Sequence, residues 1–165
     1  MPTRIASRSL PVLLLACLLV LLAKAATLTG RASVVSGDTI EIHGTLIRLH
    51  GIDAPERKQT CRRDHEVWRC GQQAALALQR RIDDRPVRCT EWHRPPEGDG
   101  HIVAKCLVDG EDLSEWLLRN GWAVAYVYYS YEHARAELFA KSNRRGIWAG
   151  AFVRPWNWRR GERLP

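Results

Sequence analysis

From residue 28 onward the apolar positions follow a strand period, then a helical one, then a strand period again. Leu28 to Val35 and Thr39 to Ile42 are runs rich in β-branched residues, separated by the turn signal Ser36-Gly37. His43-Gly44 predicts the next tight turn and Leu46 to His50 a third strand, so the three read as a meander, the first half of a small barrel. Over Gly71 to Ile82 the period changes: Ala74, Ala75, Leu78 and Ile82 share one helical face, while Gln72, Gln79 and Arg80 lie on the other. Pro86 to Glu91 and Ile102 to Val108 then read as an antiparallel pair around a polar loop, Trp92 to Gly100. Asp112 followed by Glu115 predicts the start of a helix that reaches Asn120 and stops at Gly121. A last helix is expected from about Tyr131 to Arg144, closed by Gly146. The order is three strands, helix, two strands, two helices: mainly β with helices, an α+β class.

The first twenty-five residues have a different chemistry. Arg4 and Arg8 precede a nearly unbroken apolar run, Leu10 to Leu22, and Ala23-Lys24-Ala25 offers small residues at the spacing of a signal-peptidase site. Thirteen residues fall short of the roughly 20 that a spanning helix needs, so residues 1–25 read as a secretory signal rather than a retained anchor. Removing three basic residues and no acid lowers the formal net charge from +7 to about +4. That value suits a nucleic-acid ligand without requiring one.

Export also accounts for the cysteines. Cys17 leaves with the signal, and Cys61, Cys70, Cys89 and Cys106 remain, an even number for an oxidising compartment. Of three possible connectivities we favour Cys61–Cys70 with Cys89–Cys106, because each closes a local hairpin or loop. By the loop-entropy model the shorter loop would contribute roughly 2–3 kcal/mol. Zinc is the rival reading, but no pair has the C-x2-4-C spacing of a structural site.

The candidate chemistry lies between Val34 and Glu56, in Val-Val-Ser-Gly-Asp-Thr-Ile and Ile-Arg-Leu-His-Gly-Ile-Asp-Ala-Pro-Glu. Asp38, Asp53 and Glu56 are carboxylates at turns where strands end, and Ala54-Pro55 keeps the last two close. Such hard oxygen donors suit Ca²⁺ or Mg²⁺ rather than zinc. Arg48 adds a planar donor matched to phosphate oxygens. Cation, carboxylates and arginine are the parts of metal-assisted phosphodiester hydrolysis; ordinary turn acids beside a solvated arginine are the alternative.

The segment as a whole resembles the signature of the staphylococcal nuclease (thermonuclease) family, a D-G-D-T turn followed by R-L-x-x-(I/V)-D-x-P-E. The likeness continues through Asp109-Gly110, Leu113, Leu117 to Gly121 and Ala125 to Tyr128, covering most of residues 28 to 148. It implies a five-stranded oligonucleotide-binding (OB-fold) barrel with three α-helices over residues 27–153, preceded by the signal and followed by a basic Trp/Arg tail, 154–165. It also implies a calcium-dependent nuclease acting on DNA or RNA. Asp38 and Asp53 would be carboxylate ligands, Ala54 would offer its carbonyl oxygen, and Glu56 would orient or deprotonate the attacking water. Arg48 would clamp the phosphate, and Tyr126 and Tyr128 would line the nucleotide pocket. Two positions depart from the pattern: Ser36 replaces the first acid of the turn, and His101 replaces the second phosphate-clamping arginine. Loss of that arginine predicts an attenuated enzyme, with His101 as an alternative proton donor to the leaving oxygen. The expected protein is a secreted or periplasmic monomer with no stable membrane association. A non-catalytic module that binds nucleic acid or another polyanion is the main alternative, and a disulfide-stapled envelope protein without a polyanion ligand is a lesser one.

Overall fold

A computed structural model describes residues 26–93, 100–126 and 133–165. The expected signal at 1–25, the middle of the polar loop and Tyr128 lie outside the described residues. In chain order the strands are β1 (Thr27–Gly30), β2 (Ser33–Val34), β3 (Thr39–Ile42), β4 (Thr45–Leu49), β5 (Ile52–Asp53), β6 (Cys61–Arg63) and β7 (Glu66–Trp68). Helix α1 (Cys70–Ile82) precedes β8 (Val87–His93), β9 (His101–Val108) and β10 (Glu111–Asp112). Then come α2 (Leu113–Arg119), β11 (Val124–Ala125), α3 (Ala134–Ser142), a 3₁₀ turn over Gly146–Ala149 and α4 (Pro155–Arg159).

The main sheet runs β1-β8-β9-β4-β3-β2, with β10 added to β9. Its two end strands, β1 and β2, are successive pieces of the run expected as one strand. That stretch breaks at Arg31-Ala32 and passes from β8 at one edge to β3 at the other. Chain connectivity thereby curls this seven-stranded sheet toward a half-barrel, and the meander is confined to β2, β3 and β4. His43 and Gly44 both have positive φ (51° and 78°), as a two-residue hairpin turn matched to strand twist requires. β4 pairs β9 in parallel, so the chain must cross over between them, and α1 lies on that crossover.

The core is where the sequence periods predict it. Ile40, Ile42, Ile47 and Leu49 from the meander meet Leu78 and Ile82 of α1, Val87 and Val108 of the β8–β9 pair, and Leu113, Leu117 and Leu118 of α2. Alternate residues of β9 are buried, Ile102, Ala104, Cys106 and Val108, as a strand with one face on the core must arrange them. Both expected disulfides are formed. Cys89 and Cys106 stand opposite each other across β8 and β9, and Cys61–Cys70 ties the β6–β7 hairpin to the start of α1. Among the described residues no helix is long and apolar enough to cross a membrane.

One element goes beyond the three expected helices: α4, in the stretch read from sequence only as a basic tail. Its proline sits at the first helical position, where the missing N–H costs nothing. Val153 and Pro155 are buried, and the Gln59 side chain, itself fully buried, donates from Nε2 to the Val153 carbonyl at 2.6 Å. The tail is packed onto the domain.

Asp112 shows how a short polar residue sets a helix start. Its carboxylate accepts from the Ser114 N–H at 2.8 Å, and Lys105 lies 3.4 Å away. Burial pushes its pKa upward, but hydrogen bonds from His133 and Ser114 together with the Lys105 charge outweigh this and hold the carboxyl below its ordinary value. A depressed pKa contributes stability that is present above the unfolded value near 3.9 and lost as pH falls through the folded one. Asp112→Ala is therefore expected to cost about 1–2 kcal/mol at pH 7, with a smaller cost near pH 3. Urea denaturation at the two pH values checks both the size and the trend.

Candidate functional site

The turn between β2 and β3 places the first acid. Val35 and Ser36 N–H groups donate to the Thr39 carbonyl at 2.9 and 3.1 Å, closing a tight loop around Asp38. The loop lies against α1: a Cβ added to Gly37 would stand 2.8 Å from Ala54 Cβ and 2.9 Å from Ala74 Cβ, so glycine permits this approach. Asp38 Oδ1 accepts from Ser36 Oγ at 2.8 Å and from Thr39 Oγ1 at 3.0 Å, and Oδ2 accepts from Ala54 N–H at 2.9 Å. Ser36, which stands where the family pattern has an acid, serves here as a donor to Asp38. The Ala54 contact pins the Asp38 turn to the segment carrying the other two acids.

Asp53 ends β5, which pairs with β11, and its side chain is only 9 % exposed. Glu56 follows Pro55 in a turn closed around Gln59. Its N–H donates to Gln59 Oε1 at 3.1 Å, and Gln59 N–H donates to the Glu56 carbonyl at 2.6 Å. Gly71 in α1 makes room for that turn, because a Cβ there would lie 1.8 Å from the Glu56 carbonyl oxygen. Through its buried side chain Gln59 links the Glu56 turn to Val153, two residues before α4.

From α4, Arg159 reaches both carboxylates. Nη1 donates to Asp53 Oδ1 at 2.9 Å and to Glu56 Oε1 at 2.6 Å, and Nη2 donates to Asp53 Oδ2 at 2.8 Å. Burial raises the Asp53 pKa, and the charges of Asp38 and Glu56 push the same way; the Arg159 hydrogen bonds and charge oppose them without cancelling them. The Arg159 pKa is raised, first by the hydrogen bond to Asp53. The sequence reading did not single out Arg159, for which the one local signal was a basic residue in a tail that also carries tryptophans.

These groups line a cavity of about 840 Å³, together with Arg48, His50, Trp92, His93 and Tyr126. Arg48 projects from β4 opposite Thr39 of β3 and Val103 of β9. Trp92 and His50, neither of which the sequence reading picked out, stack with ring centroids 4.3 Å apart and planes 30° apart. A bulge puts Trp92 there: Glu91 faces Ala104 and His93 faces Val103, so Trp92 is an extra residue that breaks the strand's alternation. Tyr126 turns its edge to Trp156 at 5.7 Å. His101 opens β9 opposite Leu46 and is not among the residues lining the cavity.

The donor set can be tested for a hard divalent cation. Among the described residues no three His, Cys, Asp or Glu side chains converge as a ready-made metal cluster. Asp53 and Glu56 nevertheless already share a cation, the Arg159 guanidinium, and Asp38 is tethered beside them through Ala54. All the donors are carboxylate or carbonyl oxygens, the ligand chemistry of calcium and magnesium. The chemistry of these donors suits such an ion, though they form no converged metal cluster among the described residues, and Arg159 supplies one positive charge to Asp53 and Glu56.

Comparison with known proteins identifies the family. The family model described as "Staphylococcal nuclease homologue" matches residues 46–150. The succinoglycan biosynthesis protein ExoI of Rhizobium meliloti (strain 1021) is 38% identical over 101 residues, 59% of this chain and 52% of ExoI. Two rice proteins (Oryza sativa subsp. japonica), the probable staphylococcal-like nucleases CAN1 and CAN3, are 32% and 31% identical over 115 residues. Those alignments take in 68% of this chain but only 31% and 28% of the respective rice proteins. The chain thus spans about half the length of ExoI and under a third of the rice proteins. With the family model covering well over half of the residues and the curled sheet and helices in place, the chain belongs to the staphylococcal nuclease family.

Proposed function

We propose that the cavity is a phosphodiesterase centre for nucleic acid, dependent on a hard divalent cation of which calcium is the first choice. The observation that carries this reading is the grouping of Arg48 with three turn carboxylates in one cavity, two of them already sharing a positive charge. Asp38, Asp53 and the Ala54 carbonyl would hold the cation. When bound, calcium would offset the charge of the scissile phosphate.

The remaining work falls to the chain's own side chains. Arg48 donates to a phosphate oxygen and stabilises the charge that builds up on it. Glu56, whose turn is held by bonds to Gln59, orients the attacking water and takes its proton in this reading. The Trp92–His50 stack offers a flat π surface in the same cavity as Arg48, suited to an unstacked base; Tyr126, and by resemblance Tyr128, would serve the nucleotide as well. His101 stands where the family pattern has its second arginine, which makes the enzyme a slow one. Two disulfides fit a secreted or periplasmic protein, which the apolar leader would deliver. We assign a monomer.

A second reading has one observation in its favour. Arg159 pairs with both Asp53 and Glu56 and offsets one of their two negative charges, so the same cavity can serve as a binding groove for nucleic acid or another polyanion without turnover.

Incubating the purified protein with single-stranded DNA, with calcium and then with chelator, separates the two readings. The nuclease reading predicts cleavage that chelator stops. It also predicts that Glu56→Gln lowers the rate by about 10²-fold or more while DNA affinity holds. Trp92→Ala should instead weaken DNA binding by about 5- to 100-fold, the range for one stacked base. Binding without cleavage would favour the non-catalytic groove, and cleavage indifferent to chelator and to Glu56→Gln would contradict the proposed centre.

A further inference from the structure

Arg159 poses a question that the proposed chemistry leaves open. Its guanidinium grips both oxygens of Asp53 and one of Glu56, the carboxylates at the centre of the cavity. A divalent cation needs oxygen ligands at about 2.3–2.6 Å. It would therefore crowd a second full positive charge that already sits 2.8–2.9 Å from the same Asp53 oxygens. Sharing Asp53 sets the two positive charges against each other, and the repulsion is relieved if one of them leaves.

Two further observations show which one is free to do so. The helix bearing Arg159 is held by contacts that do not involve that side chain. Val153 and Pro155 are buried, Gln59 donates to the Val153 carbonyl, and Trp156 packs on the Cys61–Cys70 cluster and against Tyr126. Arg154 lies over the rings of Trp148 and Trp156 and 3.4 Å from Glu137. The Arg159 side chain, by contrast, is 47 % exposed, so its guanidinium can rotate toward solvent while α4 stays in place. Asp53 has no such freedom: it is nearly buried at the end of a paired strand.

We propose that Arg159 is an internal counter-cation of this site, a positioning residue that holds the carboxylates together in the resting protein and is exchanged for a divalent cation when one binds. The inference rests on reading the cavity as a cation site. It explains why a buried carboxylate close to two other acids is tolerable without a metal, since a paired buried charge is far cheaper than an unpaired one. It also fixes a reciprocal relation: whatever strengthens the grip of Arg159 on Asp53 weakens cation binding by the same factor. A residue that merely anchored the tail would carry no such coupling.

The test is calcium titration by calorimetry, with thermal unfolding in parallel, on the wild type and on Arg159→Gln, Arg159→Lys and Arg163→Gln. Arg163 lies over the Trp158 ring, is not among the residues lining the cavity, and serves as the control. Arg159→Gln is expected to bind calcium about 10- to 100-fold more tightly, the range for losing a competing charged hydrogen-bond set. Arg159→Lys should fall between Arg159→Gln and the wild type, and Arg163→Gln should match the wild type. Without calcium, Arg159→Gln should melt lower than the wild type and gain more on calcium addition; a variant that folds only with calcium would support the exchange in its strongest form. Equal or weaker calcium affinity in Arg159→Gln would overturn the exchange while leaving the cation site standing. No calcium binding in any of the four proteins would overturn both.

Discussion

A carboxylate drawn almost out of water must find a positive charge, and in this chain that requirement is met at Asp53. Burial and two neighbouring acids all favour its protonated form, and the guanidinium of Arg159 is what keeps an ionised group tolerable there. Much of the fold can be read as the means of bringing those groups together. The β5–β11 pair fixes Asp53, the Gly37 loop seats Asp38 against α1, and the Gly71 gap admits the Glu56 turn. The final helix delivers the cation from 106 positions away in sequence. Gln59 joins the two ends of this construction, bonding the Glu56 turn on one side and the segment before α4 on the other.

That arrangement bears on what the family's fold does in this chain. A fold hosts chemistry without dictating it, and here the cavity holds two arginines of different standing. Arg48, on the sheet, lines the cavity with no acid paired to it among the described ion pairs. Arg159 faces the acids. The Trp92–His50 stack adds an aromatic wall to an otherwise charged cavity, a combination suited to a ligand carrying both phosphate and base.

How much of this could be read in the sequence follows from the range of the interactions. Elements governed by neighbours were legible: the His43-Gly44 turn, the Asp112 cap, the helical face of Ala74, Leu78 and Ile82, and the two disulfides that each close a local loop. The grouping of Asp38 and Arg48 with Asp53 and Glu56 was legible too, through spacing and family likeness, and all four line one cavity. What escaped depends on geometry that no short window contains. The first strand divides because it serves both edges of a curled sheet. Trp92 enters the cavity because a bulge offsets the alternation that would otherwise assign its face. Arg159 pairs across the whole length of the domain, with no periodicity to announce it. Position 101 is picked out by the likeness; it opens β9 opposite Leu46, on the same strand face as Val103, which lines the cavity, though His101 itself is not among the lining residues.

The most direct measurement is a diffraction structure of the protein loaded with calcium, with manganese as an anomalous marker for the same position. The account predicts one cation on the Asp53 carboxylate within reach of Asp38 and the Ala54 carbonyl, with the Arg159 guanidinium turned away from Asp53 and α4 unmoved. A cation bound elsewhere, or the Arg159–Asp53 pair intact beside a fully occupied metal, would contradict it.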